Sequence, residues 1–384
     1  MGSEPGRGAA SIAHPPCRIP TATPLTLEWR PYRFQLAREM VTSGGTWSLR
    51  QGWLLRLEAA EGGVGWGEAA LPPVTIGTET TEARTEVQCA QASLPTEQSR
   101  EAIERLLPGL PAPLACALGM ALAELDGLGS ADQGGWLTAP PSSLLLPAGE
   151  AAVTALEETL ATGAGGGATE RSTAATAAAL QHSPHGADRG PASADAAAAT
   201  PLTVKWKVAS GDDTLERRVL ERLLERLPPQ GRLRLDANGG WNRATAWRWA
   251  ERLAGDLRLD WLEQPLAPDD REGLEALART LPVALDESLR LDPELTAGGW
   301  EGWQVRRPLA EADPRPLLAA LRAGTPRLML STALETGIGR RFLHHLAGLQ
   351  ALGPTPTAPG LAPGWRPRGR LFSPEPEAAW EAAG

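Results

Sequence analysis

Between residues 25 and 70, apolar and polar side chains alternate with the period of two that marks antiparallel strands. The run Trp53-Leu54-Leu55-Arg56-Leu57-Glu58 leads into a Gly-rich turn and then Val64-Gly65-Trp66-Gly67-Glu68, which predicts a hairpin. Over 82–129 the period becomes helical. The stretch from Pro113 to Ala123 is apolar on nearly every side and predicts a buried helix. Strands followed by helices predict an α+β unit over 25–135.

From Ser142 onward the rhythm changes. Short apolar runs (143–147, 202–208, 232–236, 257–263, 283–286, 303–306 and 327–331) alternate with amphipathic segments (214–227, 243–253, 270–280, 315–323 and 340–352). Repeated strand–helix units predict a parallel sheet, and seven or eight of them predict closure into a (β/α) barrel over 136–360. Two stretches break the pattern. Residues 1–24 and 162–200 are rich in Ala, Gly, Ser, Thr and Pro and show no apolar period, so both are expected to be disordered. The second lies between a helix near 150–160 and the next strand, at the bottom of a barrel and away from its mouth. His182 and His185 fall inside it as solvated loop residues, and His344-His345 read as structural residues within a helix.

Composition narrows the choice. The 384 residues carry a formal charge of −9, which leaves no basic footprint for nucleic acid. No apolar run reaches the ~18 residues that a membrane span needs. Three scattered cysteines argue against a disulfide framework and a cysteine zinc site, and suit packing residues in a reducing cytoplasm. One count is more informative. Of 37 basic residues, only Lys205 and Lys207 are lysine. Arginine does not release its proton in a protein, whereas lysine does when its pKa is lowered. Two lysines at i and i+2 on a strand point the same way, into the barrel mouth, where each would depress the other's pKa.

The following apolar runs end in acids. Asp236, Glu263 and Asp286 stand 27 and 23 residues apart, about one strand–helix unit each. All three are therefore expected at one height on the C-terminal rim, where barrel enzymes place their chemistry. Helix capping is the competing use for such residues. Three converging carboxylates call for a cation, and an all-oxygen set suits Mg²⁺. Arg234 shares the face of Asp236 and is a candidate either for supporting the ligands or for binding an anionic substrate. Together these groups suit proton removal from a carbon beside a carboxylate. The metal stabilises the charge developing on the oxygens and a lysine near neutral pKa takes the proton.

Lys205-Trp206-Lys207, Asp236-Ala237-Asn238, Glu263-Gln264-Pro265 and Asp286-Glu287-Ser288, in this order, resemble the enolase superfamily. The likeness extends to Gly65-Trp66-Gly67-Glu68 and to 331–339, covering roughly 25–372 without the insertion. It implies an enolase-type (β/α)7β barrel with an N-terminal α+β capping domain, to which residues 361–384 return. Within the superfamily, 144–149 and Arg-Leu-Asp-Ala-Asn are most similar to the o-succinylbenzoate synthase family. That likeness implies a small carboxylate substrate, 2-succinyl-6-hydroxy-2,4-cyclohexadiene-1-carboxylate, dehydrated in phylloquinone or menaquinone biosynthesis. It also implies Lys207 as base, Lys205 tuning it, Asp236, Glu263 and Asp286 holding Mg²⁺, and Asn238, Ser331 and Thr332 as supporting or substrate contacts. Relatives carry a lysine on the sixth strand, whereas this chain has Arg307. A racemase or dipeptide epimerase needs a titratable group on both faces of its substrate, so Arg307 counts against it. A non-catalytic barrel would have no use for the retained lysines and acids. Arg50, in the first unit, is a further candidate substrate contact.

Overall fold

The structure is a computed structural model that describes residues 19–42, 45–71, 74–75, 81–162 and 201–384. The expected disordered segments fall largely outside these residues, as do His182 and His185. The chain is already tied down by Thr21, earlier than the tail was expected to end. The Thr21 and Thr23 carbonyls accept hydrogen bonds from the amides of Glu101 and Arg100, at 2.9 and 3.1 Å.

The alternating N-terminal segment forms an antiparallel sheet in the order β3-β2-β1-β5. Its strands are β1 (Pro24–Thr42), β2 (Gly45–Ala59), β3 (Val64–Ala70) and β5 (Glu97–Ser99), with the short β4 (Val74–Thr75) beside β2. The helix Ala112–Leu125 lies across it with ten consecutive residues, 114–123, buried. Gly65 and Gly67 permit this approach. A Cβ on either would stand 2.0 Å from a carbonyl oxygen of the helix, that of Ala121 or Ala117, so any side chain there would push the layers apart.

The second half folds into seven parallel strands, β6 (Leu144–Leu146), β7 (Thr203–Lys207), β8 (Arg232–Asp236), β9 (Leu259–Glu263), β10 (Val283–Leu285), β11 (Trp303–Arg306) and β12 (Leu328–Leu330), paired in chain order. Every apolar run of the sequence supplies one strand. The sheet curls, and residues 359–360 link its two ends. The Gly360 amide donates to Leu330 O (2.8 Å) and the Ser143 amide to Pro359 O (2.9 Å). Inside the curl, Arg234 is fully buried. It pairs with Asp260, donates to Ala358 O and Thr357 Oγ1, and stacks on Trp261. It is a strut for the linking segment.

The two halves are joined through Glu68, which is fully buried on β3. Its carboxylate accepts from Tyr32 Oη, Thr336 N, Thr336 Oγ1 and Gly339 N. It therefore caps the helix Gly337–Ala351 from another part of the chain, satisfying amides that the helix itself leaves unpaired. The C-terminal helix Pro376–Glu381 packs on the same sheet through Trp380, edge-on to Trp66 and beneath the Arg30 guanidinium.

His345 is buried in the helix Gly337–Ala351. Its Nδ1 accepts the Leu137 amide at 3.1 Å, which requires the neutral ring. Burial, aided by Arg322, lowers its pKa to about 4. The unfolded chain, with an ordinary His pKa of ~6.5, therefore takes up this proton first as pH falls. That drains stability between pH ~6.5 and ~4, by roughly 2 kcal/mol at pH 5 relative to pH 7. His345→Asn, which retains an acceptor, is expected to show a correspondingly smaller loss over that interval in urea titrations. An unchanged pH slope would exclude His345 as the source.

Candidate active site

Hydrogen-bond register sets the height of each rim side chain. Lys207 pairs with Asp236, and Asp236 with Glu263. These three form one row. Glu263 pairs with Ala284, which puts Asp286 two residues beyond the row, past the end of β10. The expectation of three acids at one height is corrected to two acids and a higher third. The capping alternative fails at the side-chain level. The helices after β7, β8 and β9 are capped by Asp212, Asn242 and Asp270, and Asp286 precedes its short helix without making a side-chain cap.

Lys205 lies between the first two acids, 2.8 Å from Asp236 Oδ2 and 2.6 Å from Glu263 Oε1. Burial pulls its pKa down, but Asp236 and Glu263 outweigh this and hold it above the ordinary lysine range. Lys207 differs. Burial dominates, Lys205 adds to it, and its pKa falls despite Asp236. The expected mutual depression is therefore corrected to a one-sided one, with Lys205 a fixed cation and Lys207 the titratable amine. Asp236 is depressed because Lys205 and Lys207 overcome its burial, while burial raises Glu263. Arg307 forms an ion pair with Asp286.

Two residues that sequence reasoning left without a role organise this rim. Gln264 is fully buried. Its Oε1 accepts the amides of Asp286 and Ser288, each at 3.1 Å, and its Nε2 donates to Leu266 O and Ser288 Oγ. It therefore fixes the backbone from which Asp286 projects. Glu287 accepts from Asn238 Nδ2 at 3.3 Å, and Lys207 Nζ donates to Asn238 Oδ1 at 3.2 Å. Burial, then Asp286 and Asp236, push the Glu287 pKa up to about 7. A signal for this region exists in the backbone. Ala209, Asn238 and Gln264, each just past a strand end, have φ of 57°, 45° and 38°. Non-glycine residues in this region cluster at functional sites.

A cavity of about 440 Å³ opens between the antiparallel sheet and these strand ends. Lys205, Lys207, Asp236, Asn238, Arg307, Ser331 and Thr332 line it, so most of the sequence candidates converge there. Glu263 and Asp286 lie beneath the lining. Arg234 is absent from the cavity lining and is held instead by Asp260, Thr357 and Ala358, so a substrate contact by it is corrected to the strut described above. Buried oxygens Glu263 Oε2 and Asp286 Oδ2 have no hydrogen-bond partner among the described residues, an expensive state for an acid. Among those residues no three acidic, His or Cys side chains are drawn together tightly enough to enclose a metal as they stand. Lys205 and Arg307 supply the positive charge there. The donor set still fits a hard cation in kind, through all-carboxylate oxygens of which two are unsatisfied.

Gln264→Leu is expected to cost roughly 2–4 kcal/mol, since it strands the buried amides of Asp286 and Ser288. Denaturant unfolding measures this. A loss below about 0.5 kcal/mol would mean that Asp286 is held by other means.

Known proteins share this sequence pattern and this fold. A family model described as enolase C-terminal domain-like matches residues 192–292. The o-succinylbenzoate synthase of Thermosynechococcus vestitus is 33% identical over 329 residues, covering 83% of this chain and 87% of that one. The crystal structure of o-succinylbenzoate synthase from Thermosynechococcus elongatus BP-1, complexed with magnesium in the active site, superposes with a TM-score of 0.65 at 30% identity, over 93% of this chain and 99% of that one. The L-Ala-D/L-Glu epimerase of Bacillus subtilis shares the fold, with a TM-score of 0.60 at 18% identity over 86% and 88% of the two chains.

Proposed function

Since this chain belongs to the o-succinylbenzoate synthase family of the enolase superfamily, we propose that its cavity dehydrates 2-succinyl-6-hydroxy-2,4-cyclohexadiene-1-carboxylate to 2-succinylbenzoate, with Lys207 as the base. The observation that carries this reading is the split between the two lysines. Lys205 is pinned as a cation between two acids, while Lys207 alone is depressed towards a usable amine at the cavity wall. In the same reading the curled sheet is a (β/α)7β barrel, with residues 358–361 as its last stave. Residues 25–135 are a capping domain, to which 361–384 return. The enzyme is placed in the cytoplasm, and no helix among the described residues is long and apolar enough to cross a membrane.

Asp236, Glu263 and Asp286 would hold Mg²⁺, and two of their oxygens, Glu263 Oε2 and Asp286 Oδ2, have no hydrogen-bond partner among the described residues. When bound, the ion supplies positive charge where the substrate's ring carboxylate gains negative charge. Neutral Lys207 removes the proton from the carbon beside that carboxylate. The electron pair moves into the ring, the bond to the neighbouring hydroxyl breaks, and the Lys207 ammonium returns its proton to the departing oxygen. Water leaves, the ring becomes aromatic and Lys207 is neutral again. Asn238 Oδ1 orients the amine through its hydrogen bond. Lys205 keeps Asp236 ionised and depresses its neighbour. Arg307, permanently charged, supplies electrostatic stabilisation and no proton transfer.

Lys207→Ala is expected to lower kcat by about 10³-fold or more in an absorbance assay that follows loss of the diene, with folding unaltered by circular dichroism. Wild-type turnover should stop with a chelator and return with Mg²⁺. Retained activity in Lys207→Ala would assign the base elsewhere. Arg307→Lys is expected to keep kcat/KM within about tenfold, or ~1.4 kcal/mol. An inactive lysine variant would show that the guanidinium geometry itself is required.

A further inference from the structure

Among the described residues five basic side chains line the cavity, and four have a partner. Lys205 is held by Asp236 and Glu263, Lys207 by Asn238, Arg290 by Glu287 and Arg307 by Asp286. The fifth is Arg50, on β2 of the antiparallel sheet. It is 2% exposed. Its Nη1 donates to Leu71 O at 2.5 Å, and its Nε is buried with no partner among the described residues. No acidic side chain among those residues pairs with it. A guanidinium removed from water that donates to one carbonyl still has N–H donors to offer. Those donors suit an anion entering the cavity.

The cavity has two distinct sides. The strand ends present Lys207 and Lys205, while the antiparallel sheet presents Met40, Trp47, Leu71 and Arg50. Resting on the function proposed above, the substrate has two carboxylates. One sits on the ring at the reacting carbon and the other at the end of a short apolar chain. With the ring carboxylate committed to the strand ends, the chain would run along the apolar wall, and its terminal carboxylate would need a cation on the far side. We infer that Arg50 is the anchor for this distal carboxylate, a specificity-determining residue that selects a succinyl side chain over a neutral one. Its fork of N–H donors suits bidentate capture of a carboxylate. Arg50 touches no reacting atom, so its contribution is to binding and orientation.

The test compares two ligands on the Mg²⁺-loaded enzyme by calorimetry. One is the product, 2-succinylbenzoate. The other is 2-butanoylbenzoate, which keeps the ring carboxylate and the ketone but ends in a methyl group. Wild type should bind the first at least about tenfold more tightly, the range of a charge-assisted hydrogen bond. In Arg50→Met the preference should shrink to within about threefold, through weaker binding of the dicarboxylate alone, and Arg50→Lys should restore part of it. In turnover, Arg50→Met should raise KM more than it lowers kcat. A wild type that binds both ligands equally would overturn the assignment without recourse to any variant. So would a variant that weakens both ligands by the same factor, the mark of a residue that only shapes the wall through Leu71. Turnover of the cyclohexadiene by the wild type is measured first. Its absence would sink the reaction assigned above, whereas normal turnover with an unchanged ligand preference in Arg50→Met would sink only the anchor.

Discussion

The site depends on one buried contact, the Lys205 ammonium between the carboxylates of Asp236 and Glu263. Two acids this deep in the sheet would repel each other and one would be protonated. Lys205 keeps Asp236 ionised, and the cost of its own burial is offset by having both acids within hydrogen-bond reach. Having a partner on two sides leaves Lys205 unable to titrate in the working range. Its charge then acts on Lys207, two residues along the same strand, which among the described residues donates to the side chain of Asn238 alone. One strand thus carries two lysines with opposite fates, and the difference comes from which neighbouring strand end each one faces.

The rim is also coupled to the antiparallel sheet. Glu68 binds the start of the helix Gly337–Ala351, and Thr332 and Glu335 bind one another just before it. Thr332, Ala333 and Leu334 line the cavity. The sheet that contributes Arg50 and Trp47 to the cavity is therefore fixed, through a fully buried carboxylate, to the loop that forms the opposite wall. Displacing the sheet would leave the Thr336 and Gly339 amides without partners in a buried region, so the distance between the cavity's two sides is set by hydrogen bonding as well as by apolar contact.

Much of this was legible in the sequence because it rests on period and spacing. Seven apolar runs became seven strands, and the scarcity of lysine singled out Lys205 and Lys207. The height of Asp286 was not legible, because β10 ends at Leu285 and register depends on pairing between strands rather than on spacing along the chain. Nor was the role of Arg234. Alternation put it correctly on the face of Asp236, but the partners that hold it, Thr357 and Ala358, lie more than 120 residues away. Gln264 escaped attention because an amide carries no charge to count. Its importance comes from four simultaneous hydrogen bonds inside a turn with positive φ.

Arg307 shows how a substitution is read through its surroundings. In a reaction that moves a proton from one face of a carbon to the other, an arginine facing the base would end catalysis, because it neither accepts nor releases the proton. In the dehydration proposed above both proton transfers are assigned to Lys207, and the opposite side needs only a lasting positive charge. Arg307 carries such a charge and pairs with Asp286, whose second oxygen has no hydrogen-bond partner among the described residues. The chain uses arginine for every other cation, and here it does so at a position where charge suffices. Lysine occurs only on β7, where one ammonium fits between two acids and the other is the amine proposed to take the proton.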